Sequence, residues 1–361
     1  MTKKLKSLAM LFALVLVTAC TAANDPAPAE TYQPALTEDQ NNPPVGTISD
    51  FMPFEENTTF VIVNPDYENA NQEIFTTFKD GERIQQRIRG HNIDLTLVLE
   101  LSGGTLRQIY QGEGLYAPVF DNITHSIEPN MSMIMLQEPL SLNNFWDNGV
   151  GGVSTITDIN VPVTTPVGTF TDTIEVTTIF EDGSRAVVYF AKGYGMVYDS
   201  HITTRFFNDA DPIQLEFVQH LAEVRRGPLA IETPVFFANE QALAMAVDLA
   251  YLQLHTNQSV EDAFNNLLPQ VAETHAYAVV NTITLHEDEQ YVHIDFSEEI
   301  LNLSQRVGSG VEEIFLDSIA NIFGFFYNVP YVRISVDGFP YSTGHFSFEQ
   351  GQRISVGQGL Q

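Results

Sequence analysis

The residues able to do chemistry crowd into the last quarter of the chain. His286, His293 and His345 lie near Asp295 and Glu298, a nitrogen and oxygen donor set of the kind that holds a metal ion. No pair of them has the spacing that puts two imidazoles on one helix face. His293 alternates with Tyr291 and Asp295 along one strand face, which favours hydrogen-bonded side chains, so no metal is assigned. Asp295-Phe296-Ser297-Glu298-Glu299 offers paired acids, and a glycosidase needs two carboxyls about 5 to 10 Å apart. Ser297 as a helix cap, with Glu298 and Glu299 in the first turn, accounts for the same residues. Asp337, Ser342 and His345 have the types of a nucleophilic triad, but no Gly-x-Ser-x-Gly elbow presents Ser342. Gly308-Ser309-Gly310 precedes a helix but lacks the spacing and lysine of a phosphate loop. The reading is therefore non-enzymatic, with no catalytic, cofactor or metal residue.

Composition narrows the partners. The chain has 46 acidic against 16 basic side chains and a net charge of −30. Loss of Lys3, Lys4 and Lys6 with a signal segment would take it to −33, leaving Lys79 and Lys192 as the only lysines. A basic groove for nucleic acid is excluded on these numbers. Hydrophobic residues make up 44 %, enough for packed cores.

The N-terminus gives an address. Lys3, Lys4 and Lys6 precede an apolar run from Leu8 to Val17, too short for a membrane span. Val17-Thr18-Ala19-Cys20 follows, and Cys20 is the only cysteine. This resembles a bacterial lipobox. The resemblance implies cleavage of residues 1–19, lipid on Cys20, and tethering to the outer face of a cell membrane. Residues 20–57, rich in Pro, Ala and acids, read as a disordered tether.

Residues 58–227 read as an antiparallel β domain, a curved sheet or half-barrel. Short β-branched and aromatic runs are punctuated by Asp80-Gly81, Gly103-Gly104 and Asp182-Gly183. Residues 228–361 read as mixed α and β. Ser259 and Asp262 suggest a capped helix, and Ser309 with Glu312 a capping box opening a helix over Val311–Phe326. The fold class expected is α+β, ending in a sandwich with helices on one face of a small sheet. Phe323, Phe325, Phe326, Tyr327 and Tyr331 are too many for one helix face. An exposed set, drawn from Phe325, Tyr327, Tyr331, Tyr341 and His345, is expected to contact a partner.

A family likeness sits in the same region. His293-Ile294-Asp295-Phe296-Ser297-Glu298, Gly308-Ser309-Gly310-Val311-Glu312-Glu313, Asp317-Ser318-Ile319-Ala320-Asn321 and Val332-Arg333-Ile334-Ser335-Val336-Asp337-Gly338 resemble the GerMN domain of sporulation and germination proteins. The likeness spans Pro234 to Glu349, about a third of the chain. Asn321-Ile322-Phe323 departs from the family's more usual Asn-Thr-Leu. The resemblance implies a non-catalytic binding or scaffolding module that meets an envelope protein. The alternatives are a cell-wall hydrolase using Asp295, Glu298 or His345, and a small-ligand or lipid carrier using a cavity in the β domain.

Overall fold

The computed structural model describes residues 43–91, 93–113, 122–205, 213–239 and 244–359. The signal segment, Cys20 and the tether up to residue 42 lie outside the described residues. Half of the described residues are strand and 17 % helix. This corrects the expected α+β class: the protein is dominated by one large antiparallel sheet.

That sheet is built from two meanders. The first is β1 (Thr58–Val63), β2 (Gln72–Asp80), β3 (Arg83–Gly90), β4 (Ile93–Ser102), β5 (Thr105–Glu113) and β6 (Met133–Gln137). The second runs through β7 (Phe145–Asp147) and β8 (Gly152–Ile159). A small two-stranded arm, β9 (Val163–Thr165) and β10 (Gly168–Phe170), interrupts it. It resumes with β11 (Thr173–Phe180), β12 (Arg185–Ala191), β13 (Gly195–Arg205) and β14 (Ile213–Arg226). β1 pairs with β14, so the spatial order is β6-β5-β4-β3-β2-β1-β14-β13-β12-β11-β8-β7.

The expected half-barrel is further closed than that. Its two end strands meet: Ile134 N–H donates to the Asn148 carbonyl at 2.9 Å, and the Trp146 indole N–H donates to the Ile134 carbonyl at 3.1 Å. Twelve twisted strands curl until their end strands touch, so the barrel is nearly closed and little of its edge is left exposed. Period-2 alternation puts Ile62, Ile74, Ile88, Leu97 and Leu99 inside.

The stretch read as the end of the tether is also part of this core. α1 (Ile48–Phe51) and the residues around it enter the barrel, burying Ile48, Phe51 and Phe54. Each such side chain contributes roughly 1.5–3 kcal/mol of transfer free energy, which a solvated tether would forgo.

The rest of the chain forms a second core. β15 (Leu229–Ala238) and β16 (Met245–Leu254) make a two-stranded ribbon. α2 (Val260–Val271), β17 (Val280–His286), β18 (Tyr291–Phe296), α3 (Ser309–Phe326) and β19 (Tyr331–Val336) follow. β17, β18 and β19, with the two-residue strands Phe339–Pro340 and Ile354–Ser355, form a mixed sheet in which β18 and β19 are parallel. α3 packs against β15 of the ribbon as well as against β18 and β19. The helices therefore have apolar partners beyond a single sheet, which corrects the sandwich expected from sequence. The apolar content of α3 explains this: Phe315, Leu316, Ile319, Ile322 and Phe323 are all buried, more than one sheet contact would cover.

The two cores meet at a hydrogen-bonded junction. Asn57 N–H donates to Thr256 Oγ1 (2.9 Å), which donates to the Thr76 carbonyl (2.8 Å). Asn257 Oδ1 accepts from Lys79 N–H, and Asn257 N–H donates to the Thr77 carbonyl. Phe75 projects from β2 into the second core.

Gly324 marks the closest approach of α3 to the C-terminal segment, since a Cβ there would collide with Val356 Cγ2. Gly324→Ala is expected to lower stability by about 1–3 kcal/mol through overpacking. Urea unfolding measures this, and Val356→Ala in the same background should recover most of the loss.

Candidate functional site

The outward face of the mixed sheet carries the acids and histidines singled out from sequence. Ser335 Oγ donates to Asp295 Oδ1 (2.5 Å), which also accepts from Gly338 N–H (2.8 Å). His293 Nε2 lies 2.7 Å from Ser335 Oγ. The parallel register sets this up, because Asp295 and Ser335 are direct partners on β18 and β19. Ser335 gives its proton to Asp295, so its oxygen accepts from His293. A nucleophilic triad needs the imidazole between hydroxyl and acid, whereas here the hydroxyl is in the middle and buried. Burial pushes the Asp295 carboxyl up, but hydrogen bonds from Ser335, Gly338 and Asn281 outweigh it and hold it low. Burial, then the Arg333 charge, holds His293 below the usual imidazole range. Both groups are therefore in their ordinary neutral-pH states, carboxylate and neutral imidazole.

The other candidates separate. His286 stacks on Tyr291 with centroids 4.3 Å apart, and Arg353 covers the Tyr291 ring at 3.8 Å. Asp337 accepts from Asn281 (3.1 Å), away from any triad with His345. Ser297 makes no capping bond; its hydroxyl goes to Glu299 in the turn Glu298–Gln305. Among the described residues no three His, Cys, Asp or Glu side chains are grouped to hold a metal ion.

His345 has a partner that the sequence did not suggest. Glu312 is fully buried and its carboxylate accepts from Thr343 Oγ1 (2.7 Å) and Tyr341 Oη (2.8 Å). His345 Nδ1 approaches its other oxygen at 2.5 Å. The expected capping box is thus corrected: the cap position is Gly308, and Glu312 ties α3 to the segment after the mixed sheet. Burial pushes Glu312 up, and the bonds from Thr343, Tyr341 and His345 more than offset it. Burial, reinforced by the bond to Glu312, raises the Tyr341 phenol. The group is a satisfied buried network.

Of the aromatic set, Tyr327 and Tyr341 are interior, so they are not contact residues. Phe325 (46 % exposed) and Tyr331 (42 %) do reach the surface. Phe325 stacks on Phe236 at 5.4 Å, and Phe236 is the cross-strand partner of Val247. From Val247 an apolar stripe continues along β16 through Leu249 and Tyr251, each more than half exposed. Their i, i+2, i+4 spacing opposes the fully buried Leu252 and Leu254. Sequence reading missed this stripe, although the alternation from Val247 to Leu254 carries its signal.

A second feature is inside the barrel. An apolar cavity of about 50 Å³ lies between the α1 segment and the wall, lined by Met52, Phe54, Ile62, Leu97, Leu99 and Met196 among others. An open groove beside it is bounded by Pro53, Phe54, Glu55, Glu56, Lys79 and Arg226.

Comparison with known proteins finds no matching family model, no similar curated protein and no similar solved structure. The GerMN likeness rests on the residues quoted for it.

Acid sensitivity follows from two buried groups. Burial drops the His275 imidazole to about 4, and Ser318 Oγ lies 3.1 Å from its Nε2. The unfolded chain binds this proton near 6.5. Its stabilising contribution is therefore complete above pH 6.5 and lost as pH falls toward 4, about 3 kcal/mol in all. Glu312, depressed below its ordinary 4.5, adds a loss that begins below that pH. Burial raises the Asp199 carboxyl to about 7, which acts in the opposite sense between pH 7 and 4, so a thermal-melt series from pH 7.5 to 3.5 reads each contribution as the difference between wild type and variant. His275→Phe flattens the first and Glu312→Gln flattens the second.

Proposed function

We propose that the chain is a membrane-tethered, extracytoplasmic binding protein that works by protein contact through the β16 face. The observation that carries this reading is the exposed stripe Val247, Leu249 and Tyr251, continued by Phe325. A ribbon that pairs with no third strand among the described residues presents these apolar side chains beside a strand edge. The acidic balance of the chain suits a partner with an apolar centre and a basic rim. The tether from Cys20 supplies the location, and the GerMN likeness agrees with contact rather than turnover. No helix among the described residues is long and apolar enough to cross a membrane.

A wall hydrolase finds less support, because the His293, Ser335 and Asp295 order withholds a nucleophile and Glu312 is fully enclosed.

Photocrosslinking from position 249 in intact envelopes should capture one defined protein. Leu249→Glu with Tyr251→Ala should abolish capture while leaving the melting temperature within about 2 °C, as expected for surface changes. Capture of nothing defined, or turnover of purified wall material lost in Asp295→Asn or His345→Ala, would reverse the conclusion.

A further inference from the structure

We propose that the barrel interior is a binding site for the acyl chain of a free anionic amphiphile, which enters by displacing the α1 segment and sets its head group against Lys79. This goes beyond the β16 contact reading and does not depend on it.

The wall is the first support. A nearly closed barrel with more strands than the eight that side chains can fill needs some other occupant. Here the occupant is the chain's own segment from Val45 to Phe54. Ile48 and Phe51 are 1 % exposed and Phe54 5 %, so they use the interior as a ligand would. The fit is incomplete, which leaves the apolar cavity beside Met52 and Phe54. Met135 and Met196 in the lining can repack around a different chain.

The hold on the segment is the second support. Few polar contacts fix it. Val45 N–H donates to the Leu140 carbonyl (3.0 Å), Ile48 N–H to Glu138 Oε1 (2.9 Å), and Gly193 N–H to the Asp50 carbonyl (2.7 Å). The short helix satisfies its own first turn through Asp50 and Thr47, so leaving the barrel strands no buried charge.

The third support is charge. Only two lysines follow residue 20, and both face this segment. Lys79, the cross-strand partner of the core residue Ile84, reaches the Pro53 and Phe54 carbonyls at 3.4 Å. Lys192 acts on the Asp50 carboxylate, which its charge helps hold low, after the backbone N–H of Thr47. Glu55 and Glu56 border the same groove and Glu55 pairs with Arg226, so it is Lys79 that is left at the mouth to meet a carboxylate or phosphate head. Displacing the segment frees Lys79 from the two carbonyls for that head group.

The test uses the full chain carrying Cys20→Ser, so that its own anchor cannot be the ligand, and dibromostearate as probe. Trp146 is the sole tryptophan and belongs to the barrel core, so bromine in the interior quenches its emission. Saturable quenching by about one equivalent is expected. Phe51→Ala should tighten binding about tenfold, because a weaker plug raises the open fraction. Phe54→Leu, a milder change, should shift affinity the same way. The acid should bind about tenfold tighter than its methyl ester, and Lys79→Ala should remove that preference. Absence of saturable quenching in wild type and in folded Phe51→Ala or Phe54→Leu overturns the site. Equal affinity for acid and ester overturns the assignment of Lys79.

Discussion

A sheet of twelve strands that almost closes on itself creates more interior than its own side chains occupy. Much else in the protein answers to that geometric fact. The strands cannot end in open edges without inviting association, so β6 and β7 are drawn together through Trp146 and Ile134. The enclosed space cannot stand empty without losing dispersion contacts. Ile48, Phe51 and Phe54 fill it from a segment that precedes the first strand. The outer side of the same wall then serves as a platform, because Phe75 and the Thr76–Thr256 bond seat the second core on β2.

The sequence was readable where local chemistry decides the outcome. Asp80-Gly81, Gly103-Gly104 and Asp182-Gly183 turn between paired strands, and each of these glycines has positive φ. Alternating runs such as Ile84–Arg89 and Thr173–Ile179 fall in strands with one face inward. Reading failed where distant partners decide. β5 is hidden in the sequence because Gln108, fully buried, breaks the apolar alternation. β15 is hard to read in the sequence because it contains Pro234, yet a two-stranded ribbon tolerates a residue without an N–H. The tether was extended too far because its prolines masked three apolar residues spaced three apart, Ile48, Phe51 and Phe54.

The candidate site shows the same division. Residue types near His293 and His345 were visible, but their partners were not. Glu312 looked like a capping residue from its neighbours three positions away. Its actual partners lie 29 to 33 residues downstream. The apparent triad residues Asp337 and His345 belong to different networks, joined only by sequence proximity. What remains open to contact is apolar: the ribbon face on one core, and the shared space under α1 on the other.

The position of α1 also determines how the protein carries a mechanical load. The backbone leaving toward Cys20 emerges from the plug at Val45. Tension on that end reaches the bonds at Val45, Ile48 and Gly193 before it reaches any strand pair. Those bonds lie in series along the pulled segment and break one at a time, whereas the β1 and β14 ladder shares its load across many. Pulling would therefore extract the plug and leave the wall standing. Were the chain held at its N-terminus, it would yield first at this segment, and the barrel would open under stretch without unfolding.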